Sequence, residues 1–263
     1  MRFISVLSFI GILALSIASC NLGSIDDPIV ISDVEKEFYV DFRESLTAPD
    51  RQLFLDIRTI ENEPCLNTSI SANLNRQVDG FNISISHIVE PQDCQLGEAP
   101  ASTTLNLGST GIRTYDFAID LKNTIYNLGK LRVEEKRYIV EMETEEGIIF
   151  LHDELIRVPN QTVWGFVASE DTDLVNSSLN FVGDLKNLGN EKIYLKGFYH
   201  YFTINNDNSI EVNHQKVIDR GFVHSFIFEY TQDQSTIVDK LEVFRSENPE
   251  ADVYFFTAQG EEW

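Results

Sequence analysis

Apolar residues fall at every second position through long parts of the stretch from Glu37 to Val158. Phe38-Val40-Phe42 alternates with Tyr39-Asp41-Arg43, and Leu53-Leu55-Ile57 alternates with Phe54-Asp56-Arg58. The pattern continues at Ile70, Ala72 and Leu74, then Phe81-Ile83-Ile85, Leu105-Leu107 and Tyr115-Phe117-Ile119-Leu121, and ends with Tyr138-Val140-Met142 and Ile149-Leu151. A period of two puts one set of side chains on each face of a strand, so each segment predicts a half-buried strand. Turn-forming clusters separate them at Ala48-Pro49-Asp50, Asp79-Gly80, Gly108-Ser109-Thr110-Gly111, Asn127-Leu128-Gly129 and Glu145-Glu146-Gly147. Seven or eight short strands at this spacing predict an all-β antiparallel sandwich over 36–159, immunoglobulin-like in architecture. This half holds no Trp, so it lacks the Cys…Trp…Cys hallmark of antibody domains.

After Pro159-Asn160 the pattern changes. Thr162 to Ala168 reads as a strand. Asp171 to Leu188 carries Leu174, Leu179, Val182 and Leu185 at near-helical spacing, with Gly189 just past its end. Lys192 to Ile204 reads as one long strand, Asn205 to Ile218 as a polar connection and Gly221 to Tyr230 as the next strand. Asp233 to Glu247 predicts a helix, with Ile237, Leu241 and Phe244 at i, i+4 and i+7, and Asn248-Pro249 stops it. Ala251 to Thr257 is the last strand. The order β-α-β-β-α-β predicts an α+β ferredoxin-like domain over 160–263, a plan that hosts many functions and names none.

The beginning of the chain carries a different signal. Arg2 is followed by an apolar run from Phe3 to Ile17, broken only by Ser5, Ser8 and Ser16. Fifteen residues rise about 22 Å as a helix, short of the roughly 20 residues that span a bilayer. A basic start, a short apolar run and small residues at its end describe a removable secretory signal over 1–19. The sequence Ile17-Ala18-Ser19-Cys20 resembles the lipobox of bacterial lipoproteins. That resemblance covers only these 20 residues. It implies that Cys20 is lipidated, freed by the lipoprotein signal peptidase and then N-acylated. Two or more acyl chains hold a protein stably on a membrane, at about 0.8 kcal/mol per buried methylene. Residues 20–35 then read as an acidic tether with Gly23 and Pro28. Asn21 stands directly after the cysteine where an Asp would favour inner-membrane retention in enteric-type lipoproteins. Its absence points to the outer membrane, on the periplasmic side or the cell surface.

Composition agrees with an extracytoplasmic address. The chain has 42 acidic and 20 basic residues. Removing 1–19 takes away one Arg and leaves a net charge of −23. Such a charge excludes nucleic acid as a partner, because that binding rests on Lys and Arg neutralising phosphates. It also disfavours lying flat on anionic lipid. With Cys20 consumed by lipid, Cys65 and Cys94 remain as an even pair in an oxidising compartment, which predicts a disulfide. Closing a loop of about 30 residues adds roughly 3 to 4 kcal/mol in the chain-entropy model.

Candidate chemistry is sparse. If Phe202 paired with Phe222, His200 would face His224 on the central hairpin of the second domain. Neutral imidazole is a good metal ligand, so His200 and His224 are the candidate metal pair, with no third ligand apparent beside them, since Glu229 falls on the opposite face and His214 in the loop. The Asn205-Asn206-Asp207-Asn208-Ser209 run lacks the Asp spacing, Gly and terminal Glu of an EF-hand and reads as a hairpin turn. The acidic Glu141 to Glu146 stretch reads as a solvated strand end. No GxSxG, HExxH, SxxK or Cys/His nucleophile pair occurs. The expectation is a lipid-anchored envelope protein without cofactor or enzymatic activity, serving as a binding or assembly component with an envelope protein or glycan as partner. Two alternatives are a carbohydrate-binding surface protein displaying Trp164, Tyr199, Tyr201 or Trp263, and a hydrolase or protease-interacting domain with clustered carboxylates.

Overall fold

The computed structural model describes residues 35–46 and 51–263. The signal segment, Cys20, most of the tether and the Ala48-Pro49-Asp50 turn lie outside the described residues. The described chain is β-rich. Ten strands form one mixed sheet: β1 (Phe38–Glu44), β2 (Leu53–Cys65), β3 (Ser69–Arg76), β4 (Gly80–Val89), β5 (Leu96–Gly108), β6 (Arg113–Leu121), β7 (Ile125–Val133), β8 (Arg137–Met142), β9 (Ile148–Phe150) and β10 (Glu154–Ile156). Their order is β10-β8-β7-β6-β4-β3-β5-β2-β1-β9.

The two edge strands are consecutive in sequence. Only Leu151, His152 and Asp153 separate β9 from β10. The Leu151 amide donates to Val40 O of β1 at 3.0 Å, and Asp153 O accepts from the Val140 amide of β8 at 2.9 Å. Four Cα–Cα steps reach at most about 15 Å, whereas a flat ten-stranded sheet would be on the order of 43 Å wide. The sheet therefore curls until its edges face each other. Phe42 of β1, Phe117 of β6 and Phe150 of β9 meet inside it with ring centroids 5.6, 5.9 and 6.2 Å apart.

The expected sandwich is thus corrected to a single curled sheet. Three of its pairings are parallel, β1 with β9, β3 with β5 and β4 with β6. Alternation of buried and open positions is the same in both architectures, so the period of two could not separate them. Two local readings also change. Asn127-Leu128-Gly129 is no turn; it lies inside β7, where Asn127 is fully buried. The Asn127 amide donates to Glu146 O at 2.8 Å and its oxygen accepts from the Glu146 amide at 2.6 Å. Gly129 lets neighbouring β8 approach, since a Cβ there would stand 2.6 Å from Glu141 O. In β9 the buried residues are Ile148 and Phe150, one position out of the expected phase. The left-handed Gly147, at φ 74°, precedes them and resets the alternation.

The far ends of β2 and β5 run past the core as a solvent-exposed arm. Cys65 and Cys94 are disulfide-bonded there, with Cα atoms 5.3 Å apart. The bridge ties the end of β2 to the loop between β4 and β5, which Asn67 also braces through Asp93 O and the Gln95 amide at 2.9 and 3.0 Å.

Beyond Pro159 the chain forms β11 (Thr162–Ser169), α1 (Val175–Lys186), β12 (Gly197–Phe198), β13 (Phe202–Ile204), β14 (Ile210–Val212), β15 (Phe222–Glu229), α2 (Ser235–Glu247) and β16 (Asp252–Thr257). Both helices and the final strand match the sequence expectation. The ferredoxin-like plan does not hold. The sheet has three strands, β15-β11-β16, and the segment expected as its fourth leaves it. That segment breaks at Gly197, with φ 132°, and at His200, with φ 71°. Phe202 pairs with Val212 of β14, not with Phe222, so β12-β13-β14 is a separate sheet.

Burial explains the departure. Every residue of β11 is buried. One face packs Val163 and Val167 beneath α1 and α2, through Phe181, Leu185, Ile237 and Leu241. The opposite face carries Trp164, Phe166 and Ala168, and Tyr199, Phe202, Ile204 and Val212 cover it together with Ile156 and Val158. A strand apolar on both sides needs a layer on each, and the small sheet supplies the second.

Replacing Asn127 with Ala strips Glu146 of two hydrogen bonds at a buried site. The expected loss is about 1–3 kcal/mol, read as a lower urea midpoint with unchanged m-value.

Candidate functional site at the barrel mouth

Alternation in β1 turns Phe38, Val40 and Phe42 inward, and it turns Glu44 inward too. Glu44 is 2 % exposed. A buried carboxylate is tolerated only when it is paired and hydrogen-bonded, and the mouth of the curled sheet supplies the partners. Tyr138 of β8 donates its hydroxyl to Oε1 at 2.9 Å. Arg157 approaches the same oxygen with Nε and Nη2, both at 2.8 Å. Arg51 reaches Oε2 at 3.3 Å. Burial first, and the neighbouring Glu44 charge second, push the Tyr138 phenol pKa up, so it stays a donor.

One of these cations also fastens the C-terminal half. Arg51 also donates to Val158 O, to Asn160 Oδ1 at 3.2 Å and to Ala258 O at 3.2 Å. The Tyr201 hydroxyl donates to Glu44 O at 2.8 Å. A cleft of about 730 Å3 opens beside this network, lined by Arg51, Lys136, Arg157, Lys192, Ile156, Tyr194, Leu195 and Tyr199 among others. A second cleft, of about 360 Å3, is lined by Arg43, Trp164, Tyr201, His214, Phe256, Glu261 and Glu262 among others.

A polar cluster lies along the seam. Asp41 and Asp56 are directly opposed on β1 and β2, where like charges repel. Each has its own cation or ring. Arg43 Nε sits 3.0 Å from Asp56 Oδ2, and Thr104 donates to Asp56 Oδ1 at 2.7 Å. His152, from the three-residue link, places Nδ1 2.9 Å from Asp41 Oδ2. Its ring stacks on Phe198 at 3.4 Å and 7°. Burial raises the Asp41 pKa against the opposing pull of His152, with Asp56 adding to the rise. His200 lies on the same side. Burial first and the Arg43 charge second push its pKa down to about 4.

The expected His200–His224 pair does not form. His200 sits between β12 and β13, whereas His224 lies in β15 opposite Val167 of β11. Among the described residues no group of three His, Cys, Asp or Glu could hold a metal ion. Of the four aromatics named for carbohydrate display, Trp164 and Tyr201 meet at 5.8 Å beside the second cleft, and Tyr199 and Trp263 lie elsewhere. Trp164 and Tyr199 are buried, at 2 % and 1 % exposure, Tyr201 is partly covered and Trp263 packs on Phe255. Asn205–Ser209 is the β13–β14 hairpin turn, closed by the Asn205 amide on Ser209 O at 2.9 Å. Glu44, Arg51, Lys136 and Arg157 went unremarked in the sequence. Glu44 alone left a readable sign, an acid in phase with the inward residues of FYVDFRE. Among the described residues no helix is long and apolar enough to cross a membrane. Comparison with protein-family models, with curated proteins and with solved structures returns no significant match.

Changing Glu44 to Gln leaves two partly buried guanidinium groups without their counter-charge. Breaking such a pair is expected to cost on the order of 3 kcal/mol, measurable by thermal or urea unfolding. His200 predicts an acid limb. Its folded pKa lies below the unfolded 6.5, so between these values the unfolded state binds more protons. Stability is complete above pH 6.5 and falls as pH drops toward 4, by up to about 3 kcal/mol at 1.4 kcal/mol per unit. Asp41, shifted upward, works in the opposite direction at the acid end. The His200→Asn variant tolerates the left-handed backbone and should flatten the loss relative to wild type in denaturation curves at pH 7 and pH 4.5.

Proposed function

We propose that the protein is a lipid-anchored extracytoplasmic binding or assembly component, held by Cys20 on the outer membrane and without catalytic activity of its own. The observation that carries the reading is the Ile17-Ala18-Ser19-Cys20 motif taken together with the Cys65–Cys94 disulfide. The motif accounts for the odd cysteine, and the bridge suits an oxidising compartment. The mature charge of −23 favours solubility away from an anionic bilayer and steers the protein from nucleic acid. The cleft at the barrel mouth is the place where a partner would dock, because rigid elements surround it and charged groups converge on it.

The carboxylates near the clefts support a binding role over a hydrolytic one. Glu44 and Asp56 are each engaged by cations and hydroxyls, an arrangement that holds geometry and leaves neither of the two as a free base. The anchor is tested by Cys20→Ala expressed with its own signal segment. Acyl labelling should disappear, and the chain should either accumulate unprocessed or leave the membrane fraction. Membrane association and labelling equal to wild type would sink the reading.

A further inference from the structure

The chain carries 42 acidic residues against 20 basic ones, yet the cleft at the barrel mouth inverts the ratio. Arg51, Lys136, Arg157 and Lys192 line it, and its one acidic lining residue is the exposed Glu135. Lys192 is neutralised by Glu229 at 2.5 Å. The remaining cations are not fully compensated. Arg51 and Arg157 share the single carboxylate of Glu44, so that triad keeps a positive charge. Arg157 directs Nε and Nη2 to Glu44, and its Nη1 has no partner among the described residues. Its guanidinium is held in place by the Tyr138 ring, 5.1 Å away. The ammonium of Lys136 makes no ion pair among the described residues. A fixed guanidinium edge next to a free ammonium is a preorganised receptor for a phosphate or carboxylate.

Part of the cleft is apolar, beside the polar Ser109, Glu135 and Asn160. Ile156 and Tyr194 form its wall. At the rim Ile193 is 100 % exposed and Leu195 46 % exposed. Two large aliphatic side chains open to water beside a cationic pocket call for an apolar cover. The volume, about 730 Å3, lies within the usual range for small-molecule sites.

We infer that this cleft binds an amphipathic anion, with its charged head on Arg157 and Lys136 and its apolar body along Ile156, Tyr194 and the Ile193–Leu195 rim. The inference deepens the binding role proposed above and does not depend on the lipid at Cys20. The charge of the head selects the ligand, and the apolar rim adds affinity that a bare anion lacks.

The test uses the mature chain carrying Cys20→Ala, titrated calorimetrically with dodecyl phosphate and dodecyl maltoside below their micelle concentrations, and with inorganic phosphate. Dodecyl phosphate should bind saturably at one site, more tightly than either other probe. Lys136→Glu should weaken it about tenfold or more, and Ile193→Ser should weaken it while leaving inorganic phosphate unchanged. Both positions are exposed, so unfolding midpoints should stay at the wild-type value and exclude misfolding as the cause. Equal binding of the maltoside, no effect of Lys136→Glu, or no saturable binding of dodecyl phosphate would overturn the inference. Those results would leave the membrane-release experiment on Cys20 untouched.

Discussion

Three residues, Leu151 to Asp153, carry the backbone from one edge of a ten-stranded sheet to the other, and the reach of so short a link dictates the shape of everything before it. The edges cannot be far apart, so the strands must curl, and curling turns one face of every strand into a common interior. Twist favours the same outcome, since each neighbouring strand is rotated by roughly 20–25°. The curl also brings the two short edge strands toward each other. β9 is paired to β1 and β10 to β8, and the crossing chain lies over the gap between them.

Closure creates a problem at the mouth, where inward alternation brings Glu44 into a site almost without water. A lone carboxylate there would cost several kcal/mol. The charge is offset by recruiting Tyr138, Arg51 and Arg157 from three separate segments. Arg51 then extends the same network to Val158, Asn160 and Ala258. A carboxylate that a hydrophobic residue could have replaced thus becomes the tie between the barrel and the layer built on β11. It also leaves a surplus of positive charge facing the cleft. In a protein this acidic, that local reversal makes the mouth electrostatically distinct from the rest of its surface.

The seam shows the same economy. Two aspartates opposed across β1 and β2 would repel, and Arg43 on Asp56 and the His152 ring on Asp41 offset part of that repulsion. Phe198 stacks on His152 from the C-terminal half, so the link that closes the barrel is also a contact for β12. His200 is partly buried next to these charges, which ties the integrity of the junction to the neutrality of its imidazole.

Much of this was written locally in the chain. The period of two marked most strands and their inward faces, the near-helical spacing marked α1 and α2, and the even pair of cysteines marked the disulfide. The phase of β1 already placed Glu44 inside, although nothing nearby in sequence named its partners. Other features were decided only by tertiary structure. Asn127 and Gly129 have turn-like identities, yet they lie in a strand because Glu146 and β8 come to them from elsewhere. The curled sheet replaced a sandwich because β9 joins β1 and β4 joins β6 in parallel, pairings that alternation does not encode. The ferredoxin-like plan failed because β11 is apolar on both faces and required a second cover, which left-handed turns at Gly197 and His200 allowed the chain to supply. Periodicity is a property of neighbours along the chain and can be read there. Partner choice depends on what remains uncovered once the chain has folded back, and only the assembled structure decides that.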